Sequence, residues 1–338
     1  MKKQYDYPVD LVYLWCDGND ENFANKKNEL KKKLNIPFDE KANGNIRYIE
    51  HNELKFSLRS VQQYAPWINH IYIITDNQRP KWLKENSRLT IIDHKDIIPE
   101  KLLPTFNSSV IDFYIYKIQN LSEHFLYAND DFIFFNKVEK NDYFDNNGNP
   151  IVWVNGNRGQ IFKFSLNISP YFSGPDKNYK SRVYNTWTLF CKKNHLEIPG
   201  YTLNHSFTSL LKSDFEKIIL KYPEILENNK HPFRDEKGVN RIIFQYEMIY
   251  ILKYKLYYAN VSPIFFRIVR KLLKIFKTNF PIKEKRNMIY ADGIKDLQEK
   301  LKNIKPLSIC LNTIPDDEIE LVDPFFEQKF SKKSEWEK

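Results

Sequence analysis

Asp130 and Asp131 stand side by side after the apolar run 125–128, where a strand would end. Adjacent carboxylates there are hard oxygen ligands, suited to a Mg2+ or Mn2+ ion that holds a pyrophosphate. One of them could instead take the proton of a sugar hydroxyl. A plain strand-ending turn explains the pair as well, because Asn and Asp bond their own backbone. Asp17-Gly18-Asn19-Asp20 follows a second apolar run and is equally readable as a common Asp-Gly turn. Asn107-Ser108-Ser109 precedes a helical pattern that continues through Asp112, so these residues offer a phosphate site or simply a cap. Arg59, His205 and Arg234 complete the candidates. Arg59 could touch phosphate or solvent, and His205 could be structural. The Arg234 fork could clamp phosphate or pair with its neighbour Asp235.

The elements that would position them alternate in type. Runs 9–15, 71–75, 89–92 and 125–128 have the β-branched and aromatic content of strands. Between them, 53–64 places Leu54, Leu58 and Val61 on one helical face with Asn52 at the N-cap. The stretch 109–118 does the same, with Ser109 and Asp112 in a capping box. This alternation predicts the α/β fold class, a mostly parallel Rossmann-like sheet flanked by helices. Three strands run into turns carrying Asp17, Asp76 and Asp130, which collects acidic groups at one sheet edge, where ligands of such sheets bind. Residues 141–180 read as loops, helical patterns resume at 207–222 and 239–255, and the charged tail from Ser331 reads as frayed.

With 42% hydrophobic and 15% aromatic residues in 338, the chain is long and apolar enough to bury a large core, which excludes general disorder. Three scattered cysteines form no disulfide framework or zinc spacing and point to a reducing compartment. The N-terminus lacks a signal-peptide pattern, and no window is apolar enough to span a bilayer. A cytoplasmic protein is expected, soluble or peripheral on the inner face of the membrane.

Residues 261–305 hold 12 Lys and Arg against 4 Asp and Glu, which is +8 of the chain's net +9. The rest is nearly neutral, which argues against a protein built around nucleic acid. Within this segment 262–280 would form an amphipathic helix, with Phe265, Ile268, Val269, Leu272 and Phe276 on one side. An in-plane helix on an anionic bilayer, a track for a polyanionic product and an ordinary domain helix all fit. The predicted organisation is a catalytic domain over 1–260, the basic segment over 261–305, and a return to the catalytic domain with a charged tail over 306–338.

Taken in order, the segments resemble the Stealth family of hexose-1-phosphate transferases. The resemblance runs through Asp10-Leu11-Val12-Tyr13-Leu14-Trp15-Cys16-Asp17-Gly18-Asn19-Asp20, then Glu53-Leu54-Lys55-Phe56-Ser57-Leu58-Arg59-Ser60. It continues through His70-Ile71-Tyr72-Ile73-Ile74-Thr75-Asp76-Asn77-Gln78 and Leu103-Pro104-Thr105-Phe106-Asn107-Ser108 to Phe125-Leu126-Tyr127-Ala128-Asn129-Asp130-Asp131. A third region is represented by His205 and Pro232-Phe233-Arg234, and a fourth by Ile309-Cys310-Leu311-Asn312, where Thr313 replaces the usual aspartate.

The resemblance implies a glycosyltransferase-A-like fold with a helical C-terminal part. It also implies transfer of a hexose-1-phosphate, N-acetylhexosamine-1-phosphate included, from a UDP-sugar to a glycan hydroxyl with release of UMP. The products would be phosphodiester linkages in capsule or exopolysaccharide, and the acceptor could be lipid-linked. By the same resemblance Asp131 and Asn312 hold Mg2+ or Mn2+. Asp130, Asp131, His205 and Arg234 carry the chemistry. Asp17, Gly18, Asp20, Arg59, Asn107, Ser108 and Asp112 bind the donor. A metal-dependent glycosyltransferase releasing UDP is the rival within enzymes, and a non-catalytic binding protein the rival outside them.

Overall fold

The computed structural model describes residues 6–36, 44, 48–155, 177–197, 203–259 and 287–338. Its centre is a five-stranded sheet in the order β3-β2-β1-β4-β7. The strands β1 (Val9–Leu14), β2 (Ile71–Thr75), β3 (Leu89–Asp93) and β4 (His124–Asn129) run parallel, and β7 (Thr208–Leu211) joins antiparallel at the β4 edge. β1 and β2 are buried almost throughout, as continuous β-branched and aromatic runs should be when both faces of a parallel sheet are covered. The expected α/β class and mostly parallel sheet are therefore present.

One face is covered by α2 (Glu53–Tyr64), through Leu54, Leu58 and Val61. The other is covered by α3 (Ser108–Asp112), α5 (Lys212–Lys221) and α6 (Ile242–Tyr246). α1 (Glu21–Lys33) follows β1, and α4 (Lys177–Asn194) packs against α6. A second sheet has the order β5-β10-β9, built from β5 (Phe132–Phe134), β10 (Pro306–Thr313) and β9 (Asn287–Asp292). Its own core, with α7 (Ile294–Leu301) and α8 (Ile319–Lys329), includes Phe56 of α2 stacked on Phe326. A two-strand pair, β6 (Val152–Asn155) with β8 (Leu256–Ala259), completes the strands among the described residues.

α2 is thus wedged between the two sheets, and its polar residues are as informative as its leucines. Ser57 Oγ donates to the carbonyl of Phe132 at 2.5 Å and lies 2.7 Å from the Tyr13 hydroxyl, while Ser60 Oγ accepts from the amide of Phe134 at 3.0 Å. These buried pairs fix β5, and with it the Asp130-Asp131 turn that precedes it.

Several local expectations need adjustment. Asn52 is the N-cap of α2 as expected, but with φ 66° its side chain makes no capping bond and its amide donates instead to Asp323. The helix expected at 109–118 starts one residue earlier and closes after Asp112. Its N-cap is Asn107, accepting from the Ser109 amide at 3.1 Å, in place of a Ser109–Asp112 box. The pattern at 207–222 opens as β7 before it turns helical, and 239–255 resolves into α6 with a wider turn over Glu247–Ile251. The tail is not frayed. Trp336 is 1% exposed, its carbonyl accepts from the Lys84 amide at 2.9 Å, and the Lys338 amide donates to Trp82. A single indole among charges escapes a composition-based reading, yet its burial outweighs the charges around it. Residues 287–305 of the basic segment contribute β9 and α7, whereas 262–280 lies outside the described residues.

Because Trp336 is fully enclosed, Trp336→Ala should destabilise the fold by about 3–5 kcal/mol. Urea unfolding should show a lower midpoint with an unchanged slope. An unaltered midpoint would mean that the tail is not part of the cooperative unit.

Candidate active site

The chain passes from the first sheet to the second at the turn between β4 and β5, and Asp130 and Asp131 occupy that turn. Opposite it runs β10, whose Cys310 pairs with Phe132 and whose Leu311 amide donates to the Asp131 carbonyl at 3.0 Å. The pairing of β10 with β9 shifts register between Leu311 and Thr313, so Asn312 sits at an irregularity two residues beyond the buried Cys310. The Cys310 thiol donates to Asp131 Oδ2 at 3.1 Å. Asn312 gives its side-chain amide to Asp292 Oδ1 at 3.2 Å and to Thr313 Oγ1 at 2.8 Å. Thr313, where the family pattern has aspartate, here serves as an acceptor for Asn312, and Asp292 at the end of β9 supplies a carboxylate beside it.

His205 reaches the same place from the chain before β7. Its ring stands edge-on to Phe132 with centroids 4.9 Å apart and lies 6.1 Å from the Tyr290 ring. His205 keeps open surface, yet protein atoms crowd its ring. Desolvation, followed by the Arg241 cation, holds its pKa below the ordinary value, which favours neutral imidazole. Water at the open edge moderates that shift, and its direction is what matters for accepting a proton.

The carboxylates move the other way. Burial and then the charges of Asp131, Glu53 and Glu50 drive Asp130 well above the carboxylate range. Burial raises Glu53 to about 8 and Glu50 to about 7, with neighbouring carboxylates adding to both. Carboxylates gathered at low dielectric call for a cation. The oxygens of Asp130 and Asp131, the buried Asp131 Oδ1 among them, are hard donors of the kind a divalent cation takes, so the turn fits such an ion.

A second cluster lies behind the turn. Asn107 caps α3 and also donates to the carbonyls of His231 at 3.0 Å and Phe233 at 3.4 Å. Phe106 stacks on Phe233 at 5.4 Å. These contacts bring Arg234 to α3, where it donates to Ser108 Oγ, and Arg182 of α4 donates to Ser109 Oγ. Asp112 points inward: Tyr127 Oη lies 2.8 Å from its Oδ1 and 3.0 Å from Asn129 Oδ1, and Arg241 stacks 4.2 Å from the Tyr127 ring. Burial raises the Asp112 pKa against the opposing effect of Arg241. Asp112 therefore supports the site from behind.

The turn after β1 forms the third part. Gln78 clamps it, accepting from the Asp17 amide at 3.1 Å and donating to the Asp17 carbonyl at 2.8 Å. Gly18 lies so close to Tyr48 that an added Cβ would stand 2.6 Å from that residue's carbonyl oxygen, so only glycine fits. Asp20 caps α1 by accepting from the Phe23 amide at 2.8 Å. Arg59 is not available to a ligand. Its guanidinium is buried against Glu337, with Nη1 also donating to Glu327 and to the Phe330 carbonyl, so the expectation of a phosphate or solvent role gives way to a latch on the C-terminal segment.

The structure therefore brings His205 and Cys310 to Asp131, with Asp130 beside it in the turn, holds Asn312 against Asp292 and Thr313, places Asn107, Ser108 and Arg234 in a second cluster, and leaves Arg59 outside both. Sequence reading passed over Cys310, Glu53, Asp292, Arg182 and Arg241. Cys310 was within reach of it, since it stands inside the Ile309-Cys310-Leu311-Asn312 run that the sequence already singles out.

The family model for Stealth protein CR2, conserved region 2, matches residues 47–152. The capsular polysaccharide phosphotransferase LcbA of Neisseria meningitidis is 31% identical over 309 residues, covering 90% of this chain and 77% of that protein. The chain belongs to the Stealth family. The relative fcs1 of Haemophilus influenzae, also a capsular polysaccharide phosphotransferase, is 37% identical over 241 residues, or 70% of this chain and 64% of its own length. The chain is also similar to the solved galactosyltransferase LgtC in complex with donor and acceptor sugar analogs, at 10% identity and a TM-score of 0.41 over 96% of both chains. No helix among the described residues of this Stealth chain is long and apolar enough to cross a membrane.

The raised pKa of Glu53 links the site to stability. Between the ordinary 4.5 and about 8 the folded chain holds a proton that the unfolded chain has lost. Stability of the metal-free protein should therefore fall as pH rises through that window, by roughly 1 kcal/mol per unit, and level off above it. Glu53→Gln should flatten the decline. Urea midpoints measured in chelator from pH 5 to 9 test this, and a wild-type midpoint that rises over the range would contradict it.

Proposed function

We propose that the chain transfers a hexose-1-phosphate, with N-acetylhexosamine-1-phosphate the leading case, from a UDP-sugar to a glycan hydroxyl in capsule or exopolysaccharide synthesis. The observation that carries this reading is the placement of a neutral-leaning His205 against Asp131, with an arginine cluster on the adjoining side. A group-transfer site for a diphosphate needs a proton acceptor, cation-seeking oxygens and phosphate-directed guanidinium groups. The naming of LcbA and fcs1 as capsular polysaccharide phosphotransferases supports the same chemistry.

In this mechanism the acceptor hydroxyl oxygen bonds to the β-phosphorus while the bond from that phosphorus to the bridging oxygen breaks. UMP leaves with the electron pair, and the anomeric C–O bond is untouched. His205 or Asp130 takes the hydroxyl proton. Arg234, steered by Ser108 and Asn107, meets charge on the transferred phosphate. Asp17, Gly18 and Asp20 shape the turn that faces the nucleotide. Asp130, Asp131 and Asn312 would hold Mg2+ or Mn2+, which neutralises the diphosphate when bound. The acceptor is proposed to be lipid-linked. The 262–280 stretch would rest on the inner leaflet of the cytoplasmic membrane, as its alternation of aromatic and basic residues supports.

Incubation with UDP-sugars, Mg2+ and short glycan acceptors should release acceptor-dependent UMP, with phosphorus retained in the product. Release of UDP would replace this reading with glycosyl transfer. Asp131→Ala should lower kcat by about 10^3-fold while circular dichroism stays native. Activity within tenfold of wild type would remove Asp131 from the chemistry.

A further inference from the structure

Asp131, His205 and Cys310 arrive from three separate elements, and a carboxylate oxygen, an imidazole nitrogen and a thiol sulfur lie within 4.8 Å of one another. Cys310 is buried and Asp131 half-buried, whereas His205 opens to solvent, so one side of the trio is reachable. A sulfur has no use to Mg2+, which takes oxygen ligands. One thiolate, one imidazole and one carboxylate instead form the donor set of a zinc-class ion with three protein ligands and an open fourth position. Tetrahedral bonds of about 2.0–2.3 Å place such donors roughly 3.5 Å apart. The Cys310 Sγ to Asp131 Oδ2 distance is already 3.1 Å, and the remaining separations are at most 4.8 Å.

We propose that Asp131, His205 and Cys310 form a site for a thiophilic divalent cation such as Zn2+, and that its occupation withdraws Asp131 and His205 from the transfer reaction. Asp131 would be shared between two exclusive arrangements. In one it joins Asp130 and Asn312 around a hard ion; in the other it joins Cys310 and His205 around a soft one. On zinc binding the Cys310 thiol loses its proton to solvent and the sulfur bonds to the metal. The inhibitory half of this proposal rests on the proposed sugar-phosphate transfer, whereas the binding half does not.

Co2+ serves as the spectroscopic stand-in for Zn2+. Titrated into the full chain in millimolar Mg2+, it should give a thiolate-to-cobalt charge-transfer band and the intense absorption of a tetrahedral ion, both erased by Zn2+. The band should persist when Cys16 and Cys191 are both replaced by Ser, and should vanish in Cys310→Ser, with Zn2+ affinity at least about tenfold weaker. If Cys310→Ser fails to fold, the Cys16 and Cys191 double variant decides alone, because only Cys310 can supply its sulfur. A weak octahedral spectrum, displacement by Mg2+, or loss of the band in the double variant overturns the proposal. Zn2+ should also suppress UMP release by wild type far more than by Cys310→Ser, and equal suppression of both overturns the inhibitory half. A cobalt band without transfer activity under any metal would refute the proposed function and leave the site standing. Transfer without the band would do the reverse.

Discussion

Everything in this chain converges on one hard physical task, which is to hold two adjacent carboxylates in a tight turn that crosses from one sheet to another. Asp130 is half-buried beside Asp131, Glu53 and Glu50, and like charges at reduced dielectric would spread the turn apart if it were free. Three neutral contacts oppose that tendency. Ser57 and Ser60 grip β5 from α2, and the Leu311 amide holds the Asp131 carbonyl from β10. Each is a backbone pairing away from water, so each both satisfies a polar group and fixes a position. The serines of the Glu53–Ser60 motif thus have a structural reason as definite as that of its leucines.

That constraint also explains why the C-terminal part must return to the first domain. β10 is the strand that pairs with β5, and α8 carries Phe326 against Phe56 on the outer side of α2. The last residues then lock the arrangement, with Glu337 receiving the Arg59 fork and Trp336 filling the adjoining space. A buried ion pair contributes less through its charge attraction than through the penalty of breaking it, since either partner alone would be stranded. Arg59 is thus a fixed point from which α2, and through α2 the turn, takes its position.

Much of this architecture was legible from the amino-acid pattern. The four parallel strands and α2 follow period and composition, because both faces are buried and nothing local competes. The convergence of Asp17 and Asp130 at one sheet edge followed from strand direction alone. Other features were hidden for identifiable reasons. β7 lies inside a run that also fits a helix, and four residues carry too little periodicity to separate the two. Arg59 was misread because its partners lie 268 to 278 positions away, and no local pattern encodes such a pairing. Arg182 and Arg241 were missed for the same reason, as each is placed by tertiary packing against α3 or β4.

The two clusters make one electrostatic object. Carboxylates from β4–β5, β9 and the start of α2 gather on one side, and Arg182, Arg234 and Arg241 stand on the other, with Tyr127 and Asp112 between them. The same crowding by protein atoms that raises Asp130 and Glu53 lowers the His205 pKa, and Arg241 acts on His205 in the same sense. A lone desolvated pocket would merely suppress charge. Opposed clusters do more, because under the proposed transfer the arginines would draw an anionic diphosphate while the acids would take up a cation. In that proposal a proton leaving a hydroxyl between them would meet an imidazole able to accept it. The separation of charge is therefore built before any ligand binds, and that preorganisation is what a transfer with charge spread over phosphate oxygens requires of a protein.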